Sequence, residues 1–372
     1  MPTASAPQPR AGNPAGLTVL RGIAVLCIVL SHAAIPYMTE PPRGIAWPVR
    51  EPAASPVLDW IYLWCRACQP VFFVFSGMMA AAALRRQSPQ VFLRDRWRML
   101  GRPLLIAAIT VLPVCYLVWM WGWWKTGYIT GSQLLEFRLA THDKRDLLGF
   151  GHLWYLEYLL IYTALFGGWC AWRGGPSRTL ARTWPILAAA LGAWLLAWVF
   201  IDPAMVTDFR NGFLPAWTYL AYNAGYFALG VMLWQARSRV GARAATWAAL
   251  ILIAQLLAAA WLWLRQTHTA PHAATLLMAL FSMTSGLAWS CLGLAWFPRS
   301  RAIAAPLRAI ARSGYWIYLV HLPVLGTAAV LMHDRPLPVW LKLVIGFGVG
   351  VAIPFAAHRL LRQWGRRAAS AG

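Results

Sequence analysis

The sequence predicts an all-α fold: a polytopic bundle of transmembrane helices with both termini in the cytoplasm. Three observations carry that reading. Hydrophobic residues make up 60% of the 372-residue chain and charged residues only 12%, where a soluble domain carries about 25% charge. Apolar windows of about 20 residues, the length that crosses a bilayer as a helix, recur from end to end. The basic residues gather in alternate gaps between those windows.

The windows place ten helices, near 17–36, 57–84, 102–122, 152–172, 183–201, 213–235, 245–264, 272–297, 314–332 and 337–358. The second is long enough to tilt, or to break at Pro70. Residues 1–16, rich in Pro, Ala and Gly, read as a disordered tail. A transmembrane domain follows over 17–358, then a basic cytoplasmic tail over 359–372. The stretch Arg10 to Ala34 superficially resembles a cleaved signal peptide. Polar residues interrupt its apolar run and further spans follow, so it is read as an uncleaved first helix.

The formal net charge of +22 invites a nucleic-acid partner. The placement of the charge argues for the membrane instead, and no nucleic-acid partner is expected. The N-terminal region, 85–102, 173–182, 237–243, 299–312 and the tail from Arg359 together hold 22 of the 33 basic residues, leaving 11 for the opposite side. The positive-inside rule then puts both termini in the cytoplasm of a cell inner membrane. The cluster WMWGWW over 119–124 falls at the outer end of the third span, where an aromatic belt is expected. Three outer loops stand out: a Pro-rich 37–56, a polar 125–151, and 202–212 with Asp202, Asp208 and Arg210. They are suited to form a mouth for a polar substrate. Cys65 and Cys68 make a C-x-x-C without a second pair or nearby His, so they read as small apolar residues and no metal is expected.

The polar residues within the spans carry the chemistry. Arg21 and His32 are eleven residues apart, three turns plus about 20°, so they share a helix face about 16 Å apart along the axis. Arg21 lies at the cytoplasmic end and His32 well past the midplane. Taken alone, Arg21 also suits an interfacial anchor and His32 an interhelical hydrogen bond. The fourth span opens GHLWYLEYLLIY, with His152 near the outer surface and Glu157 about 7 Å deeper, on a face turned about 140° away. The ninth reads SGYWIYLVHLPVL, with His321 deep and Tyr318 one turn before it. The second carries Gln69 and Ser76-Gly77. Ionisable residues inside membranes face the bundle interior, so three histidines on three helices point to a shared polar cavity. His268, His272, His333 and His358 sit at span ends and read as interfacial.

Five elements in order resemble the membrane acyltransferase type 3 family. They are Arg-x10-His (Arg21, His32), FFVFSG (Phe72 to Gly77), an Arg-rich loop ending in Gly-x-Pro (Gly101 to Pro103), GHLWYLEYLLIY (Gly151 to Tyr162) and SGYWIYLVHLPV (Ser313 to Val324). They cover roughly 17–330. The form of the fourth is similar to the branch containing glucans biosynthesis protein C. The family's R-x-x-R spacing is absent; the loop reads Arg94, Arg96, Arg98, Arg102.

The resemblance implies an enzyme that moves an acyl group, acetyl or succinyl, from cytoplasmic acyl-CoA to a hydroxyl of an extracytoplasmic glycan or similar acceptor. Arginine binds phosphate through a planar fork of donors, so Arg21, Arg94, Arg96, Arg98 and Arg102 are the candidates for holding the donor's phosphates. His32 is the candidate general base, with His152, Glu157 and His321 as further catalytic candidates that orient it or stabilise the oxyanion. The sequence also leaves room for a covalent acyl-histidine intermediate. The rival reading is a proton-coupled transporter using the same His and Glu residues. It leaves the Arg-dense stretch unexplained, and no internal repeat supports it.

Overall fold

Apolar segments without water must pair their backbone N–H and C=O groups internally. The chain does so as helices: the structure, a computed structural model, is 82% helical and holds no strand among the described residues. It describes residues 14–66, 69–174, 180–202, 208–240, 271–295 and 304–371, with single residues and short runs between 205 and 264. Most of the expected tail 1–16, Cys68, His268 and nine of the twenty residues of the expected span 245–264 lie outside the described residues.

In chain order the helices are α1 (Pro14–Ala34), α2 (Pro56–Arg66), α3 (Gln69–Leu84), α4 (Pro89–Arg96), α5 (Arg102–Lys125), the short α6 (Gly131–Leu135) and α7 (Thr141–Leu147), α8 (Trp154–Trp172), α9 (Leu180–Ile201), α10 (Trp217–Val240), α11 (Pro271–Ala295), α12 (Ala304–Met332) and α13 (Val339–Ala371). Among the described residues five stretches are long and apolar enough to cross a membrane: Thr18–Tyr37, Pro56–Leu84, Pro89–Lys125, Ala305–Met332 and Val339–Trp364. Ile186–Ile201 and Leu276–Cys291 are shorter apolar helices. The helices α8 and α10, expected as spans, are not among the five. Their polar side chains are used between them: Tyr158 and Tyr162 of α8 donate to the carbonyls of Ala216 and Leu220 at 3.2 and 2.6 Å.

Two expectations are corrected. The stretch 85–102 is not a loop but helical from Pro89 onward. Ser88 caps α4 with Pro89 in its first turn, and a π-turn over Trp97–Gly101 carries the helix into α5. Pro103 has no N–H to give Met99; the Arg102 N–H reaches back to Trp97 O instead. The tryptophan cluster is only partly a belt. Trp119 and Trp123 are buried and donate to Ala46 O and Trp47 O at 2.7 and 2.9 Å, because the 37–56 loop folds over that end of α5. Trp124 remains exposed.

Lipid offers no hydrophobic drive between helices, so close packing holds them. A Cβ at Gly77 of α3 would stand 2.0 Å from Phe227 O, and one at Gly230 of α10 would stand 2.0 Å from Val74 O. The two glycines let α3 and α10 cross backbone against backbone, which explains Gly77 at the end of FFVFSG. One buried cluster centres on α3, α8 and α10, with Phe73, Leu156 and Tyr226. A second joins α1, α5 and α12 through Val29, Trp119 and Ile317.

The loops 37–56, 125–151 and 202–212 are joined to one another at one end of this bundle. Phe209 N donates to Arg43 O and Phe150 N to Gly212 O. Asn211 donates to the carbonyls of Asp146 and Leu147 and accepts from Gly151 N. Glu51 anchors the first loop to α13 through Lys342, whose ammonium donates to both carboxylate oxygens at 2.9 Å and to His333 O at 3.1 Å.

Candidate active site

Beneath the loops lies a cavity of about 170 Å³, walled by residues of both buried clusters. It is bounded by His32, Arg66, Tyr116, His152, Tyr155 and Tyr318 and, from the 202–212 loop, Arg210 and Asn211. All three loops, 37–56, 125–151 and 202–212, contribute residues to its wall.

The histidines meet. His32 Nδ1 lies 2.8 Å from His321 Nε2 with the rings stacked, and His321 packs edge-on against His152 at 5.4 Å between centroids. His32 is half-buried in the cavity wall, while His321 stands behind it, 0% exposed. The hydrogen bonds fix the tautomers. His321 Nδ1 faces two acceptors, Ile317 O at 3.0 Å and Tyr318 O at 2.7 Å. A carbonyl only accepts, so Nδ1 carries the proton. A second proton on His321 would bury an imidazolium, and among the described residues no carboxylate pairs with it. Its Nε2 is therefore an acceptor, His32 Nδ1–H donates to it, and His32 Nε2 is left with a free lone pair.

His152 is held by the same helix. Its Nε2–H donates to Leu319 O at 3.0 Å. That carbonyl is available because Pro323, four residues on within α12, has no N–H to occupy it. The proline in HLP thus frees the acceptor for the histidine of GHL. Tyr318 OH donates to the backbone carbonyl of His152. His152 Nδ1 is buried without a partner beside the cavity.

Other sequence candidates lie elsewhere. Glu157 is half-buried on α8 and absent from the cavity wall, as its 140° offset from His152 implies. Arg94, Arg98 and Arg102 are exposed on the helical stretch, and Arg96 lies over the Phe92 ring; none lines the cavity. Arg21 is also outside it. It donates to Ala311 O at 2.6 Å, lies over Phe75, and keeps a buried Nε–H without an acceptor.

Sequence reasoning passed over Arg66. It lines the cavity at the end of α2 and donates to Tyr62 Oη at 2.9 Å and Asp208 O at 3.2 Å. A lone arginine inside IYLWCRACQPVFF was the available signal. Tyr155 was likewise missed; its hydroxyl lies 2.9 Å from Ser76 Oγ, joining two of the quoted motifs. Cys65 is buried against Cys27, and no group of three or more His, Cys, Asp or Glu able to hold a metal occurs among the described residues.

The family model for the acyltransferase type 3 domain matches residues 15–359, nearly the whole chain, with His32, His152 and His321 all inside the match. The chain belongs to the membrane acyltransferase type 3 family. It is thus a membrane-embedded acyltransferase, transferring groups other than amino-acyl groups. No curated protein and no solved structure matches it. In this type 3 acyltransferase three of the five quoted motifs, FFVFSG, GHLWYLEYLLIY and SGYWIYLVHLPV, join His32 around one cavity.

Proposed function

We propose that the protein takes an acetyl or succinyl group from cytoplasmic acyl-CoA and passes it to a hydroxyl of an extracytoplasmic glycan, with His32 as general base. The observation that carries this reading is the free Nε2 of His32, left by the donor chain His32 Nδ1–H to His321 to backbone carbonyl. The acceptor oxygen attacks the thioester carbonyl, the C–O bond forms and the C–S bond breaks. The hydroxyl proton passes to His32 Nε2 and then to the departing CoA sulfur. His321 orients the ring, and Arg66 or Tyr155 at the cavity wall offers hydrogen bonds to the oxyanion. Glu157 has no part in this scheme.

In this reading the donor enters from the cytoplasmic side, by Arg21 and the basic stretch 85–102. Arg21 suits its phosphates, because the buried Nε–H still lacks an acceptor. The exposed arginines of the 85–102 stretch act as a field that gathers an anionic donor. The pantetheine arm then covers the roughly 16 Å from Arg21 to His32. Arg21→Ala raises the KM for acyl-CoA and flattens its salt dependence while changing kcat little. Steady-state kinetics at two ionic strengths check this; an unchanged KM with lower kcat would remove Arg21 from donor binding.

The reading also requires ten spans in a cell inner membrane with both termini cytoplasmic. The 22 to 11 partition of basic residues supports it. Reporter fusions after residue 140 should appear outside, and fusions after residue 240 inside. A reversed pair means that a span has been lost or added. Binding and slow hydrolysis of acyl-CoA by the purified protein in detergent tests the donor class itself, and a protein that transports protons without touching acyl-CoA would refute it.

A further inference from the structure

A second cavity, of about 210 Å³, opens between the start of α12 and the end of α13. Its wall holds Arg312 and Ser313 from α12 and His358, Arg359, Arg362 and Gln363 from α13. On α13 they recur one turn apart, at 358–359 and 362–363, so that helix turns one polar face to the gap, opposite the adjacent pair 312–313 of α12. No acidic residue belongs to the wall, and none of the three arginines forms an ion pair among the described residues. His358, read from the sequence as interfacial, is buried against α12, stacked on Trp316, with Nδ1 2.9 Å from Ser313 Oγ. Ser313 lies eight residues, about 12 Å, before His321, so this cavity is separate from the one around His32.

We infer that this cavity is a phosphate-binding site. Three exposed guanidinium groups gathered at one cavity with no carboxylate in its wall favour an anion there, and the planar fork of arginine matches phosphate oxygens. Ser313 and His358 form a polar base beneath them, and Gln363 adds an amide donor at the rim. The same turns of α13 present Leu360, Leu361 and Trp364 outward, all exposed. An apolar outer face beside a basic inner one is the arrangement that seats a phospholipid headgroup with its chains alongside. The other source of the same chemistry is the nucleotide end of the donor, since Arg21 reaches Ala311 immediately beside Arg312. The lipid source is independent of the proposed reaction; the nucleotide source rests on it.

The test uses the purified full-length chain with phosphatidylglycerol, phosphatidylcholine and free CoA as probes. Native mass spectrometry counts retained lipids, and calorimetry measures CoA affinity. The wild type is compared with Arg359→Gln/Arg362→Gln and with a charge-matched control, Arg50→Gln/Arg335→Gln. Both arginine pairs are exposed, and a melting curve for each variant shows that it is folded. Loss of one phosphatidylglycerol in the first variant, with phosphatidylcholine unchanged, identifies a lipid headgroup. A fall in CoA affinity of about tenfold or more identifies the nucleotide. Either result supports the site, and the control should match the wild type. If the first variant does not fold, loss of the bound lipid or CoA from the wild type as salt rises, together with Arg362→Gln alone, replaces it. Equal lipid retention and equal CoA affinity across all proteins overturns the inference.

Discussion

His32→Ala lowers kcat by about 10²-fold or more while donor KM and melting temperature stay near wild type. The rate falls because the lone pair on Nε2 has no substitute: His321 is sealed behind His32, and His152 Nε2 is committed to Leu319 O. The fold persists because His32 lines an open cavity, where water can replace the hydrogen bond to His321. His321→Ala behaves differently. It removes a fully buried side chain and frees the His32 ring, so activity and stability fall together. Turnover, donor binding and melting temperature measured side by side separate the cases. A folded His32→Ala protein with wild-type turnover would contradict the assignment of the base.

Glu51→Ala destabilises the protein by roughly 3–5 kcal/mol. Lys342 is 4% exposed on its side chain and Glu51 6%, so removing the carboxylate leaves a buried ammonium without a counter-charge. Glu51 N donates to Pro36 O and Ser55 N to Tyr37 O, so the loop that roofs the cavity depends on the same anchor. Replacing both partners by apolar residues, Glu51→Leu with Lys342→Met, should recover most of the loss. Thermal melts of the two variants check this. A single variant as stable as wild type would mean that the pair is open to water.

Much of the fold was legible because helical periodicity reports one helix at a time. It put Arg21 and His32 on one face, turned Glu157 away from His152, and marked His321 as deep. It does not report which faces meet. The His32–His321 bond joins positions 289 apart, and the Glu51–Lys342 pair joins positions 291 apart. No local pattern announces either. Trp119 and Trp123 misled for the same reason, since an indole at a membrane boundary and an indole beneath a folded loop look alike in sequence. The Arg-rich stretch was read as a loop because its charge suggested water, while its capping serine and proline were the helix signal. Arg66 was counted with the outer basic residues, although an arginine within an apolar run is itself a signal of an interior polar site. Pro323 stands within the quoted SGYWIYLVHLPV, but the use of the Leu319 carbonyl it frees depends on His152 lying alongside, which no local pattern shows.

Mass spectrometry of envelope glycans from cells carrying either the wild type or His32→Ala, expressed to equal levels in the membrane, reads the reaction itself. Transfer with His32 as the base predicts glycans heavier by one or more acyl groups in the wild-type cells and unmodified glycans in the variant. Glycans of identical mass in both would contradict it.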